Sequence, residues 1–288
     1  MSNILAPKIY RRVERRTQVA FLLFLVPAVL LLLIVFVAPI VGFLTQSVMD
    51  PDWTTRHFEK FANSNVYFPV LVRTLKVSFL TALFCLLLGY PVAFVMAKTQ
   101  GRLRMVIMAM VLIPFWTNVL ARMFAWIVLL GKQGFVNSSL ISIGLIEEPL
   151  PIMFSEFAVL LGMVHYMLPY MILPLMAVMV SIPGNLTDAA ENLGASPLRA
   201  FWHVFLPLSL PGIAAGCLMV FIISLGFYVT PALLGGPRDV LLAQVIEFQI
   251  SGTLNWGFAA ALSLILLITT FVLYALYMRV TEKEGAGA

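Results

Sequence analysis

Six apolar stretches, each long enough to cross a bilayer about 30 Å thick, recur along this chain near residues 19–44, 72–97, 105–130, 154–181, 208–231 and 256–279. A segment in hydrocarbon must satisfy its own backbone hydrogen bonds, so runs of this length read as helices. The expected fold class is all-α, a polytopic membrane protein with six transmembrane helices. Between the fourth and fifth stretches the pattern changes: Asn185 to Pro207 mixes polar and apolar positions at helical spacing.

That interval predicts two short amphipathic helices. Asn185 is placed to cap the first, with Asp188 three positions on resembling a capping box. Gly194 suits the left-handed residue that ends a helix. Ser196 before Pro197 is an N-cap followed by proline at the first helical position, so a second helix starts at once. Leu186, Ala189, Ala190 and Leu193 share one expected face, and Leu198, Phe201, Trp202 and Phe205 the other. Two apolar faces on a hinged pair outside the lipid need a surface to dock against. The expectation is a protein-binding elbow.

Composition supports a membrane protein independently. Of 288 residues 61% are hydrophobic and 11% charged, and mean hydropathy is +1.01, far from a soluble domain. The uncharged run from Thr17 to Met49 exceeds the 7–15 residues or so of a signal-peptide core, so the first stretch is expected to be a retained helix. With the amino terminus inside, Lys8, Arg11, Arg12, Arg15, Arg16, Lys98, Arg102, Arg104, Arg199, Arg279 and Lys283 fall on the cytoplasmic side, and only Arg56, Lys60, Arg73, Lys132 and Arg238 outside. This asymmetry fits the positive-inside rule and puts the elbow in the cytoplasm. The net charge of +5 is thus one of topological anchors, and no nucleic-acid partner is implied. The outer loops hold Asp50, Asp52, Glu59, Glu147, Glu148, Asp239 and Glu247, with Glu156 at the outer mouth of the fourth span. Loop solvation accounts for them; docking of a soluble protein or attraction of a cationic solute is the functional alternative.

The elbow's spacing resembles the cytoplasmic loop of permease subunits of ATP-driven, binding-protein-dependent (ABC) importers. The family pattern is Glu-Ala-Ala, three residues, Gly, nine residues, then Ile-any-Leu-Pro. Asp188-Ala189-Ala190, Gly194 and Val204-Phe205-Leu206-Pro207 stand at those spacings, with Asp for Glu and Val for Ile. The resemblance implies a type I ABC importer permease-like fold in a bacterial inner membrane. It also implies a loop that enters a cleft of the ATPase, with Asp188, Ala189, Ala190, Gly194, Leu198, Val204, Leu206 and Pro207 as coupling residues. Leu206–Ile213, Phe227–Pro237 and Leu120–Trp126 look like the spermidine/putrescine branch, and the likeness covers about residues 70–280. The partners so implied are an ATP-binding subunit in two copies, a second similar but non-identical permease, a periplasmic solute-binding protein and the lipid bilayer. Permeases for opines and phosphonates look similar, so those solutes stay open. The domain reading is a basic cytoplasmic segment at 1–18, a six-helix permease domain at 19–280 with its coupling loop at 182–207, and a cytoplasmic tail at 281–288.

No phosphate loop occurs: Gly131-Lys132 is followed by Gln133 and has no glycine five residues before Lys132. ATP hydrolysis is therefore expected on a separate subunit. The three histidines, His57, His165 and His203, lie in different segments, and no His-Glu-x-x-His or Gly-x-Ser-x-Gly motif is present. No metal or cofactor is expected. Cys85 and Cys217 fall in spans and act as small apolar residues. An ion-coupled transporter usually carries an acid deep in a span, whereas the one span acid here, Glu156, is near an outer end. A secondary transporter is the runner-up.

The solute path is expected among polar and aromatic span residues. Phe115, Asn118, Arg122 and Trp126 recur at near-helical spacing in the third span; snorkelling of Arg122 is the bland alternative. Glu156, Met163, Tyr166 and Tyr170 form a stripe in the fourth, with His165 off it; helix packing is the alternative. Tyr228 near the outer end of the fifth is either a path or an interface-belt residue. Pro91, Pro114, Pro169, Pro174 and Pro231 permit kinks.

Overall fold

A computed structural model of the chain describes residues 25–285, with side chains described through Arg279. The basic segment 1–18, the start of the first span, the side chain of Lys283 and the end of the tail lie outside the described residues. Twelve helices are numbered here: α1 (Leu25–Thr45), α2 (Arg56–Asn63), α3 (Tyr67–Lys98), α4 (Gly101–Trp116), α5 (Val119–Leu130), α6 (Phe135–Ser142), α7 (Glu156–Ser181), α8 (Gly184–Asn192), α9 (Pro197–Leu225), α10 (Val229–Leu234), α11 (Leu242–Ser251) and α12 (Trp256–Gly285). Six stretches are long and apolar enough to span a membrane: α1, α3, Val119–Ser142, α7, α9 and Trp256–Arg279 of α12.

The centre is a packed trio of α3, α7 and α9. Met96, Met167, Met171 and Met179 fill it together with Cys85, Ile172, Leu175 and Val220, flexible thioethers taking up irregular space between helices. A Cβ on Gly216 would lie 2.7 Å from Met171 Sδ and 3.2 Å from the Met171 carbonyl oxygen. Glycine there lets the α9 backbone approach α7, as small residues do where lipid offers no hydrophobic drive. Cys85 is buried and Cys217 half-buried, both as free thiols. By contrast no residue of α1 is buried; it touches α12 where the half-buried Phe43 meets Trp256 edge-on at 6.3 Å.

Two proline devices shape the long helices. A proline donates no hydrogen bond, and its ring presses on the carbonyl four residues back. In α1 and α9 a wide π turn, Leu33–Val37 and Phe201–Phe205, precedes Pro39 and Pro207. The residue just before each proline then bonds five residues back, Ala38 N–H to the Leu33 carbonyl and Leu206 N–H to the Phe201 carbonyl. Neither helix ends at its proline.

This corrects the fifth span. Expected at 208–231, it starts at Pro197 and ends at Leu225, where Gly226 closes the helix and α10 begins separately at Val229. The third is corrected too: 105–130 is two helices, not one. Pro114 sits in the last turn of α4, and Asn118 opens α5 by accepting the Leu120 N–H at 2.8 Å. An asparagine side chain that bonds nearby backbone competes with helix continuation. With 16 residues, α4 is about 24 Å long, short of the bilayer. The third spanning stretch is instead Val119–Ser142, lapsing from helix at 131–134. The short helices α2, α6 and α11 had no counterpart in the apolar pattern, and the start of α10 was read as the end of the fifth span. They are held by tertiary bonds, such as Leu242 N–H to Thr74 Oγ1 at 2.9 Å, which fastens α11 to α3.

Candidate functional site

The elbow is a short helix hinged onto a long one. Gly194 has φ +92°. Its N–H donates to the Glu191 carbonyl at 2.9 Å, and the Ala195 N–H to the Ala190 carbonyl at 3.0 Å, the paired bonds of a Schellman stop. Ser196 then accepts the Arg199 N–H, and Pro197 opens α9. The expected cap at Asn185 is not formed. Pro183, extended at φ −63° and ψ 124°, precedes the helix, which begins at Gly184 and leaves Asn185 inside its first turn.

The two apolar faces also need correction. Leu186 and Leu193 are exposed as expected, Leu193 at 89%. The second face divides: Leu198 at 69% and Trp202 at 56% stand out, while Phe205 at 3% is buried. The π turn places Phe201 and Phe205 one above the other, stacked at 6.0 Å. Together they grip the end of α3, with Phe94 5.7 Å from Phe201 and 5.0 Å from Phe205. Tyr90 adds an edge-on contact to Phe201 and a 3.0 Å hydrogen bond to Ser209. Lys98 lies 5.4 Å over the Phe205 ring. Asp188 and Glu191 border a small cavity between the elbow and Lys98. Among the other motif positions Ala189 and Pro207 are exposed, and Ala190, Val204 and Leu206 half-buried. One side of the elbow is therefore fixed to the bundle and the other is bare.

The path candidates gather where α5 meets α7. The Arg122 guanidinium lies 4.8 Å over the Tyr166 ring and donates from Nη2 to the Thr117 carbonyl at 3.1 Å. Tyr166 packs on Phe227 at 4.7 Å and Tyr170 on Phe115 at 5.3 Å. Trp126 Nε1 donates to His165 Nδ1 at 3.1 Å, which leaves any proton of a neutral imidazole on Nε2. His165 thus belongs to the cluster from which its position in the stripe excluded it; a histidine in an apolar span was the available signal.

The remaining candidates are elsewhere. Asn118 is the exposed cap of α5. Met163 is fully buried against Val77, Val159 and Leu241. Glu156 pairs with Lys76 of α3 at 2.6 Å, a partner the sequence reading left unassigned. Tyr228 borders a separate cavity with Gly226, Ile246 and Glu247. Outside the spans, Asp50 accepts from Arg56 at 2.9 Å and lies 3.0 Å from His57 Nε2. The hydrogen bond from Arg56, reinforced by His57, holds the Asp50 carboxyl below its ordinary range. Among the described residues no group of three metal-ligating side chains comes together.

A family model described as the binding-protein-dependent transport system inner membrane component matches residues 89–283, which contain both the elbow and the cluster. The chain belongs to that family. It is the membrane-spanning permease of an ABC importer, a transport subunit and not a catalytic one. The permease is 36% identical over 217 residues to the spermidine/putrescine transport system permease protein PotB of Escherichia coli K12, covering 75% of this chain and 79% of that one. PotB of Haemophilus influenzae is 37% identical over 217 residues, covering 75% and 76%. The inner membrane ABC transporter permease protein YdcU of E. coli K12 is 31% identical over 256 residues, covering 84% and 79%. Among solved structures, a bacterial ABC transporter that imports the acidic polysaccharide alginate aligns with TM-score 0.76 at 18% identity, covering 96% of this permease and 99% of that chain. The inward-facing MetNI methionine transporter aligns with TM-score 0.58 at 18% identity, covering 76% and 98%. At those identities the structures speak for the fold alone.

Proposed function

We propose that this permease carries a polyamine of the spermidine/putrescine kind from a periplasmic binding protein into the cytoplasm. The observation that carries the reading is the 36% identity to PotB over 217 residues. The aromatic faces of Tyr166 and Trp126 fit it chemically, since ammonium groups are drawn to ring faces.

In this reading the amino terminus and the elbow are cytoplasmic, in line with the excess of Lys and Arg on that side. Leu193, Leu198 and Trp202 insert into the ATPase, and closure of its ATP-bound dimer moves α8 about Gly194. Because Phe201 and Phe205 grip Phe94, the same displacement reaches α3 and α9, two of the three central helices. The bundle then alternates between outward and inward access. A second, similar but non-identical permease completes the pathway.

Uptake of radiolabelled spermidine by vesicles holding the whole transporter tests the solute. Saturable, ATP-dependent uptake that excess putrescine suppresses and an opine does not is the expected result. Uptake of the opine in preference would overturn it. Orientation is tested separately: a reporter active only in the cytoplasm should work after Gln100 or Gly194 and be silent after Asp52 or Gly236.

A further inference from the structure

Arg122 presents an unresolved charge. It is 9% exposed, and its Nε and Nη1 are buried with no acceptor among the described residues. Only Nη2 is bonded, to the Thr117 carbonyl. Burying a guanidinium inside a membrane protein is costly even when all its donors are satisfied, and Glu156, the one acid in the spans, is committed to Lys76. What holds the group is the face of Tyr166, 4.8 Å away. A solute ammonium would seek that same ring.

We propose that Arg122 is a resident cation: it occupies the cation site of the empty permease, and the solute's ammonium displaces it from Tyr166. This inference rests on the polyamine reading and names the residue that sets the site's affinity. Two like charges do not share one ring in a low-dielectric site, so entry of the solute requires the guanidinium to leave. Its route is marked by its single hydrogen bond. Thr117 lies in the break between α4 and α5, where Thr117 and Asn118 are exposed, and a rotation about the long side chain takes Nε and Nη1 from a dry, unpaired setting toward that opening. The partly bonded state is thus poised for exchange. A site closed by its own cation resists stray monovalent ions, which bind a ring face too weakly to pay for the displacement, while a flexible polycation delivered by a binding protein gains several contacts at once.

The test is equilibrium binding of radiolabelled spermidine to the complete transporter in nanodiscs without binding protein. Arg122→Gln removes the competitor and should bind spermidine more tightly, by about tenfold, the scale of one desolvated cation–π contact. Arg122→Lys keeps a competing cation and should stay near wild type. Tyr166→Leu removes the ring and should weaken binding in the wild-type and Arg122→Gln backgrounds alike. If spermidine binds the wild type but Arg122→Gln binds it equally or less tightly at normal membrane abundance, Arg122 is not a competitor and the inference fails alone. If neither protein binds spermidine while the whole transporter takes it up with its binding protein, the inference fails alone; if that uptake is absent too, the polyamine reading fails with it.

Discussion

At the elbow, large apolar side chains stand out from the protein; at the α5–α7 cluster, a charged one is folded in. Leu193, Leu198 and Trp202 are bare, though apolar groups gain by leaving water. Arg122 is enclosed, though guanidinium groups gain by staying in it. Both regions hold their least comfortable groups against the usual sorting, and in each the discomfort points to something outside this chain. The elbow's apolar side chains lack a protein surface to cover them. The cluster leaves Arg122 Nε and Nη1 without acceptors among the described residues. On the reading proposed above, the elbow's neighbour is the lasting one, the ATPase, and the cluster's is transient, the solute.

The largest expected effect comes from breaking the elbow. Nothing lies within 4 Å of where a Gly194 Cβ would be, so substitution there meets no wall; the objection is the backbone at φ +92°. A β-branched residue in that conformation is strained by about 1–3 kcal/mol. Gly194→Val should unwind the stop and misalign Leu193 from Leu198, abolishing ATP-coupled uptake while the protein still inserts at normal abundance. Leu198→Asp should do the same by putting a charge into the docking face. The measurement pairs membrane abundance by blot with solute uptake and binding-protein-stimulated ATP hydrolysis. Normal transport by both variants would reduce the elbow to a connector.

Next in size is the joint between the two regions. Phe205 is buried against Phe94, and truncating a core aromatic ring costs about 3–5 kcal/mol. Phe205→Ala should lower the amount of folded permease and loosen the elbow from α3, whereas Trp202→Ala, on the exposed side, should leave abundance unchanged and impair only ATPase association. Equal loss of abundance in both would mean that the elbow is not divided into a fixed and a free side.

What could be read in the sequence follows the same division. The elbow is governed by local rules, so Ser196, Pro197 and Gly194 announced its turn. Its one local miss, Asn185, arose because Pro183 sets the chain direction earlier. The division of Leu198 and Trp202 from Phe201 and Phe205 was not legible, since it depends on the π turn that precedes Pro207 within a continuous helix. At the cluster, Arg122, Tyr166, Tyr170 and Trp126 were visible as unusual span residues. Their pairing was not, because it joins α5 to α7 across dozens of residues. A periodicity run through Phe115 to Trp126 also assumed one helix where Asn118 starts a new one. Apolar content marks where a chain enters lipid, and it is silent on where a polar side chain will interrupt it.

A smaller effect is expected at Glu156. As an isolated acid it invites a cationic solute, but it is bound to Lys76, and the lysine side chain is 57% exposed. Exposed ion pairs contribute about 0.2–1 kcal/mol, so Glu156→Gln should reduce spermidine uptake by at most about fivefold, and Lys76→Met should not reduce it. A much larger loss in Glu156→Gln alone would give the carboxylate a direct part in solute entry.

The smallest effect belongs to the loop between α1 and α2. Asp50 is held below its ordinary value by Arg56 and His57. A carboxylate whose folded value is depressed adds stability above its unfolded value, near 3.9, and loses it as pH falls through the folded value. The α1–α2 connection should therefore keep its arrangement at neutral and mildly acidic pH and loosen only below about pH 4. Asp50→Asn should remove the acid-dependent loosening and leave uptake at neutral pH within about twofold, the scale of an exposed pair. Limited proteolysis of the α1–α2 loop across pH, with the variant beside the wild type, reads this directly. Loosening in the wild type well above pH 4, or acid loosening that persists in Asp50→Asn, would detach the effect from Asp50 and overturn the assignment.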